Sequence, residues 1–223
     1  MPPRPRLTYF NFRGLAEPIR LLLADLSLPF EDHQVDFAGW EALKPQMPFG
    51  QMPRLEIDGL EIVQSQAILR HLARRHGLEG ADEAERIACD IAVEAVRDAQ
   101  IRLFDHFWAE GSTAPEAAAA YAAEGLAGQL GQLEAWLGER PFFAAGRPLF
   151  ADYHALAYLD EVAGHFPAAL PPKLAALRRR LSERPGIAAY IASGRQPAAY
   201  GFDPLRGLRY GLAGAPVTPP PRD

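Results

Sequence analysis

Pro48-Phe49-Gly50-Gln51-Met52-Pro53, followed by Leu55 and Ile57, then Asp58-Gly59, then Leu60 and Ile62, leads into Gln64-Ser65-Gln66-Ala67-Ile68-Leu69-Arg70-His71-Leu72, and this stretch decides the fold. Apolar and polar residues alternate on both sides of Asp58-Gly59, itself a strong two-residue turn signal, so the segment reads as a β-hairpin. The helix that follows starts at Ser65 and runs to about His76, where Gly77 ends it. At its start, Gln64 and Ser65 offer an amide, a hydroxyl and free backbone N–H groups to an anion, and the helix dipole adds attraction. Ser65 reads equally well as a plain N-cap. Pro53 reads either as a strand-entry residue or as a cis proline that turns the Met52 backbone toward a ligand.

Working outward, Leu7-Thr8-Tyr9-Phe10 predicts a strand. Ala16 to Leu26 predicts a helix, with Ile19, Leu22, Leu23 and Leu26 at helical spacing, and Phe30 to Asp36 predicts a second strand. Trp40 and Lys44 fall in a segment without a clear period. The order is βαβ, an irregular segment, then ββα. Beyond Leu78-Glu79-Gly80 the strand signals stop. Asp82 to about Glu110, Pro115 to Leu137, Ala151 to His165, Pro172 to Glu183 and Pro185 to Ala192 all read as helices. The expected organisation is an α/β module over residues 1–80, an all-helical module over 81–200, and a glycine- and proline-rich tail over 201–223, in which Val217 to Pro221 reads as extended or disordered.

The chain has 223 residues, 48% of them hydrophobic, which is ample for a buried core. A net charge of −5 and the absence of a basic tract argue against a general nucleic-acid binder. The single cysteine, Cys89, excludes an internal disulfide and a zinc site built from several thiolates. No signal-peptide pattern and no apolar run of membrane-spanning length is visible, so the cytoplasm is the expected compartment.

Tyr9 lies at the carboxyl end of the first strand, where ligands gather in open α/β sheets. Its phenol reads either as half-buried packing or as a donor to a bound sulfur. Lowering a thiol pKa by about two units from 8.5 takes about 2.7 kcal/mol, more than one neutral hydrogen bond supplies, so other dipoles would have to contribute. Trp40 and Lys44 could supply an indole N–H and an ammonium to a carboxylate. Asp98 lies on a long helix, where a solvated face is its plain reading. Phe10, Phe12, Phe104, Phe107 and Trp108 could form an apolar wall.

The order of these motifs resembles the cytosolic glutathione transferases, most nearly the sigma and pi classes and the related haematopoietic prostaglandin D synthases. The resemblance covers residues 7 to about 195. It rests on Leu7-Thr8-Tyr9-Phe10-Asn11-Phe12-Arg13-Gly14, on Gly50-Gln51-Met52-Pro53, on Gln64-Ser65 with Ile68 to Leu72, and on Phe150-Ala151-Asp152-Tyr153. It implies a thioredoxin-like first domain that binds glutathione, an all-helical second domain, and a homodimer. It also implies roles: Tyr9 stabilises the thiolate, Met52 before a cis Pro53 pairs with the cysteinyl part, and Gln64 and Ser65 hold the γ-glutamyl carboxylate. Trp40, Lys44 and Gln51 contact the glycyl end, and Asp98 reaches the γ-glutamyl amine across the dimer interface. Two departures stand out. Leu15 occupies a position where members commonly carry an arginine, a loss that Arg13 compensates only in part, and Leu149 replaces the usual Ser or Thr partner of Asp152 in a capping box.

The resemblance therefore implies a detoxifying glutathione transferase in which the thiolate attacks a small hydrophobic electrophile held by Phe10, Phe12, Leu15, Phe104 and Trp108. Glutathione is the co-substrate and no metal or redox cofactor is expected. A glutathione-dependent isomerase and a crystallin-like binding or structural protein are the alternatives.

Overall fold

The computed structural model describes residues 4–108, 115–203 and 208–210. Leu7, Thr8 and Tyr9 are all buried in β1 (Arg6–Phe10), as expected of a strand covered on both faces. β1 pairs in parallel with β2 (Glu31–Val35), which is reached through helix α1 (Glu17–Asp25), and antiparallel with β3 (Arg54–Ile57). β4 (Leu60–Val63) closes the sheet in the order β2-β1-β3-β4. The Asp58-Gly59 turn between β3 and β4 has φ of 50° and 77°, the positive pair that a tight hairpin with right-handed strand twist requires.

Helix α3 (Ser65–His76) buries Ile68, Leu69, Leu72 and Ala73, and Gly77 ends it in the left-handed region at φ 69°. Beyond it the chain is helical: α4 (Glu83–Trp108), α5 (Pro115–Ala120), α6 (Ala127–Leu137), α7 (Phe150–His165), α8 (Pro172–Ser182) and α9 (Pro185–Ala192). α7 is buried from Phe150 through Val162 and is the central helix of this half, packed against α4 and α8. α1 is covered twice, by α3 within its own half and by α7 and α9 of the helical half, and Ile19, Leu21, Leu22 and Leu23 are all fully buried. Asp25 ties the two halves together. It accepts from the Tyr153 hydroxyl at 2.6 Å and from Arg184 Nε at 2.7 Å.

The mixed sheet followed by a helical half agrees with the expected fold class, and four local expectations change. Trp40 lies in a helix, α2 (Phe37–Leu43), whose Asp36 side chain caps the Gly39 N–H at 2.7 Å, and Lys44 opens the 3-10 turn Lys44–Gln46 that follows. At seven residues α2 is too short to show a period. The single helix expected over Pro115–Leu137 is broken by a π-helical turn at Tyr121–Leu126, where the Tyr121 ring stacks on His106 at 3.9 Å, a tertiary contact with no local sequence signal. Strands return in the tail as a short antiparallel pair, β5 (Gly201–Asp203) and β6 (Leu208–Tyr210). Asp152 does not need a hydroxyl partner: its carboxylate accepts from the N–H groups of Leu149 at 2.8 Å and Phe143 at 2.9 Å. Residues 109 and 110 of the helix expected to reach Glu110, and residues 211–223 of the tail, lie outside the described residues.

A candidate active site between the two halves

A cleft of about 420 Å³ opens where β1, the entry to β3 and the start of α3 face α4 and α7. The sheet side contributes Phe10, Leu15 and Trp40 together with the Gly50-Gln51-Met52-Pro53 segment, in which the Met52–Pro53 bond is cis. The start of α3 contributes Gln64, Ser65 and Gln66. The helical half contributes Arg97, Gln100, Ile101 and Phe104 from α4, and His154 from α7.

Gln64, not Ser65, occupies the N-cap position of α3, so the plain capping reading of Ser65 is not met. Gln64 has φ 69° and ψ 114°, a sparsely populated conformation of the kind that collects at binding sites, and its side chain makes no cap. Its amide instead donates to Gln51 Oε1 at 3.2 Å, so both side chains stand at the cleft. The first turn of α3 therefore presents backbone N–H groups that no side chain caps.

The Tyr9 phenol lies just behind this surface and is 6% exposed. Its oxygen accepts the Leu15 N–H at 3.2 Å, which leaves the phenolic proton available for donation. Burial pushes its pKa up to about 12, so the neutral donor form holds at neutral pH. Gly14 makes this approach possible: at φ 42°, a Cβ on it would stand 2.6 Å from the phenol oxygen.

The turn carrying Gly14 is fixed by a residue that the sequence pattern did not single out. Arg20 is fully buried in α1. It donates through Nη1 to the Phe12 carbonyl at 3.1 Å and the Arg13 carbonyl at 3.4 Å, and through Nη2 to the Phe10 carbonyl at 3.3 Å. Its charge is balanced by Asp32 at 3.1 Å and the buried Glu17 at 3.4 Å. Its position three residues after Glu17 was the available signal.

Several residues expected at the site do not line this cleft. Phe12 is 7% exposed and stacked behind Phe10 at 5.2 Å, so it does not line the cleft. Arg13 turns away to the carboxyl-terminal segment, donating to the Pro197 carbonyl at 2.9 Å with its guanidinium 4.2 Å from the Tyr200 ring centre. The neighbouring Arg13 and Gly14 N–H groups bond to the carbonyls of Ala199 and Tyr200, which holds the side chain on that side. Lys44 is exposed at the rim, its stem beside Gly50. Asp98 is exposed on a different face of α4, in a hollow with Ile91, Ala95, Leu133 and Trp136. The Trp108 side chain lies outside the described residues.

Gln66, Gln100 and His154 were not anticipated either. His154 Nδ1 takes the Gln66 amide at 3.0 Å, and its Nε2 meets Gln100 Oε1 at 2.9 Å, joining α3, α7 and α4 behind the cleft. Burial, followed by the nearby Arg97 and Arg70 charges, pushes the His154 pKa down to about 3 and keeps the ring neutral. It follows directly on the Asp152-Tyr153 pair, but that adjacency gave no direction.

Known proteins share this arrangement. Residues 5–74 match the family described as "Glutathione S-transferase, N-terminal domain", and residues 98–194 match "Glutathione S-transferase, C-terminal domain". The chain is 39% identical over 194 residues to a "Glutathione S-transferase P" of Caenorhabditis elegans, covering 83% of this chain and 91% of the relative. It is 37% identical over 198 residues to a "Hematopoietic prostaglandin D synthase" of Gallus gallus, covering 85% and 96%. A solved pi-class glutathione S-transferase of Onchocerca volvulus superposes with a TM-score of 0.80 at 34% identity, covering 86% of this chain and 93% of that one. By sequence and by fold, this chain belongs to the glutathione S-transferase family.

Proposed function

We propose that the protein conjugates glutathione to small hydrophobic electrophiles, and that the observation carrying this reading is the Tyr9 phenol, whose oxygen takes the Leu15 N–H and whose proton stays available beside the cleft. The glutathione γ-glutamyl carboxylate sits on Gln64, Ser65 and the open first turn of α3. The cysteinyl part pairs with the Met52 backbone before Pro53, and the glycyl end meets Gln51, Trp40 and Lys44 at the rim. Tyr9 donates to the sulfur and favours the thiolate. The thiolate attacks an electrophilic carbon held against Phe10, Leu15, Ile101 and Phe104. A carbon–sulfur bond forms, the carbon–halogen bond of an aryl halide breaks, halide leaves, and the thiol proton goes to solvent. Proximity of the two reactants supplies the rest of the rate. Glutathione acts as co-substrate, and no metal or redox cofactor takes part in this scheme.

A homodimer belongs to the same proposal. Phe49 is 79% exposed, and Ile91 and Trp136, at 45% and 38%, border the hollow that contains Asp98. A two-fold partner would cover these apolar surfaces and bring its acid toward the γ-glutamyl amine. A cytoplasmic role in detoxification fits a reaction that consumes reduced glutathione.

Formation of the thioether from glutathione and a nitro-substituted aryl halide is the direct test. Absence of both conjugation and glutathione binding would overturn the proposal. The likeness to the prostaglandin D synthase favours an isomerase as the second reading, and product analysis with an endoperoxide distinguishes the two.

A further inference from the structure

Arg97 is the one charged side chain among the described residues that line the cleft, since His154 is held neutral. Its side chain is exposed, and it makes no hydrogen bond or ion pair with a described residue. Helix spacing would pair it with Glu94, three residues earlier, yet Glu94 is taken by Arg70 of α3 at 2.7 Å, and Asp90 by the same guanidinium at 3.2 Å. The cation is thus left unpaired at a cleft whose other wall is the open start of α3.

Two further features give that charge a purpose. The Gln66–His154–Gln100 chain spans from the first turn of α3 to α4 one turn beyond Arg97, and all three side chains are buried, so the spacing between Arg97 and the α3 start is fixed. Away from α3, no other described residue that lines the cleft carries a positive charge: Leu15 lines the wall, Arg13 is turned to Pro197 and Tyr200, and Lys44 stands outside, exposed at the rim. Among the described residues that line the cleft, the positive charge facing the start of α3 is therefore that of Arg97.

We infer that Arg97 is a specificity-determining residue, which binds the α-carboxylate of the γ-glutamyl group from the α4 side while Gln64, Ser65 and the first turn of α3 bind it from the other. This rests on the glutathione reading above. A guanidinium matches a carboxylate in shape as well as charge, so Arg97 selects peptides that carry this group over those that lack it.

The test is calorimetric titration of wild type, Arg97→Gln and Arg97→Lys with two peptides: glutathione, and 4-aminobutyryl-cysteinyl-glycine, in which hydrogen replaces the α-carboxylate. Arg97→Gln should weaken glutathione binding about tenfold, as expected for one exposed charge-assisted contact, and leave the analogue within about twofold of wild type. Arg97→Lys should fall between wild type and Arg97→Gln for glutathione. Equal losses for both peptides, the outcome of a purely structural or subunit-pairing role, would overturn the assignment, as would no loss for either. Wild type that binds no glutathione would overturn the functional reading and this assignment together. Wild type that binds glutathione with no discrimination by Arg97 would overturn the assignment alone.

Discussion

Replacing Arg20 with Met removes the main charge that balances Glu17 inside the fold, leaving the weaker pull of Arg13. Arg20 has no exposed surface and Glu17 has 1% exposure, so the carboxylate would be left buried with its Gln196 hydrogen bond and that weaker pull alone. Asp32, at 19%, can turn to water, whereas the Phe12 carbonyl cannot. Breaking one partner of a buried pair costs about 3–5 kcal/mol, and a lost donor to a buried carbonyl adds about 1 kcal/mol, so a loss of about 4 kcal/mol or slightly more is expected. With a urea slope of about 3 kcal/mol/M, the midpoint falls by about 1.3 M or more. Burial already raises the Glu17 pKa, and loss of Arg20 raises it further. A raised carboxyl pKa penalises the fold when the acid is charged, so the deficit should be largest at pH 7–8 and should shrink as pH falls through the raised value toward the ordinary 4.5. Glu17→Gln added to Arg20→Met should recover roughly half of the loss, because the stranded charge is gone while the freed carbonyls remain. A single variant that costs under about 1 kcal/mol, or a double variant no more stable than the single, would refute the buried-charge account.

Gly14→Ala places a methyl group against the Tyr9 phenol and demands φ of 42° from an alanine. Turnover should fall about tenfold or more while glutathione affinity stays within about threefold, and steady-state kinetics with calorimetry read both. His154 contributes stability that depends on its neutrality. Its pKa is about 3 in the fold against 6.5 in the unfolded chain, so this contribution is fully present above pH 6.5 and is lost as pH falls toward 3. At pH 5 the loss is about 2 kcal/mol, and wild type should lose that much more than His154→Asn in urea unfolding between pH 7 and pH 5. Equal losses in the two proteins would show that the ring is already accessible to protons. The Cys89 thiol is fully buried and its pKa is pushed up to about 12, so a disulfide reagent should leave it unmodified in the native protein and label it fully in urea.

The hairpin and α3 were legible because their signals are local: Asp58-Gly59 dictates a turn, and Ile68, Leu69 and Leu72 mark one helix face. The start of α3 at Gln64-Ser65 was legible for the same reason, although its cap position fell one residue earlier than a serine N-cap would place it. Direction was not legible. Phe12 and Arg13 lie close to Tyr9 in sequence, but Arg13 is drawn off by the chain around Pro197, 184 residues away. His154 meets Gln66 and Gln100 across separations of 88 and 54 residues, which no local pattern encodes. Arg20 was hidden because α1 is covered on its second side by the helical half, so its apparent polar face is interior.

Tyr9 acting as a hydrogen-bond donor to the glutathione sulfur is the central claim, and the ultraviolet absorbance of the bound thiolate, titrated with pH in wild type and Tyr9→Phe, tests it most directly. One hydrogen bond of about 1–1.5 kcal/mol, with no arginine at Leu15 to assist, should bring the thiol from about 8.5 to roughly 7.5 in wild type. In Tyr9→Phe the titration should return to about 8.5 while glutathione still binds. Superimposable titrations of bound glutathione in the two proteins would contradict the account.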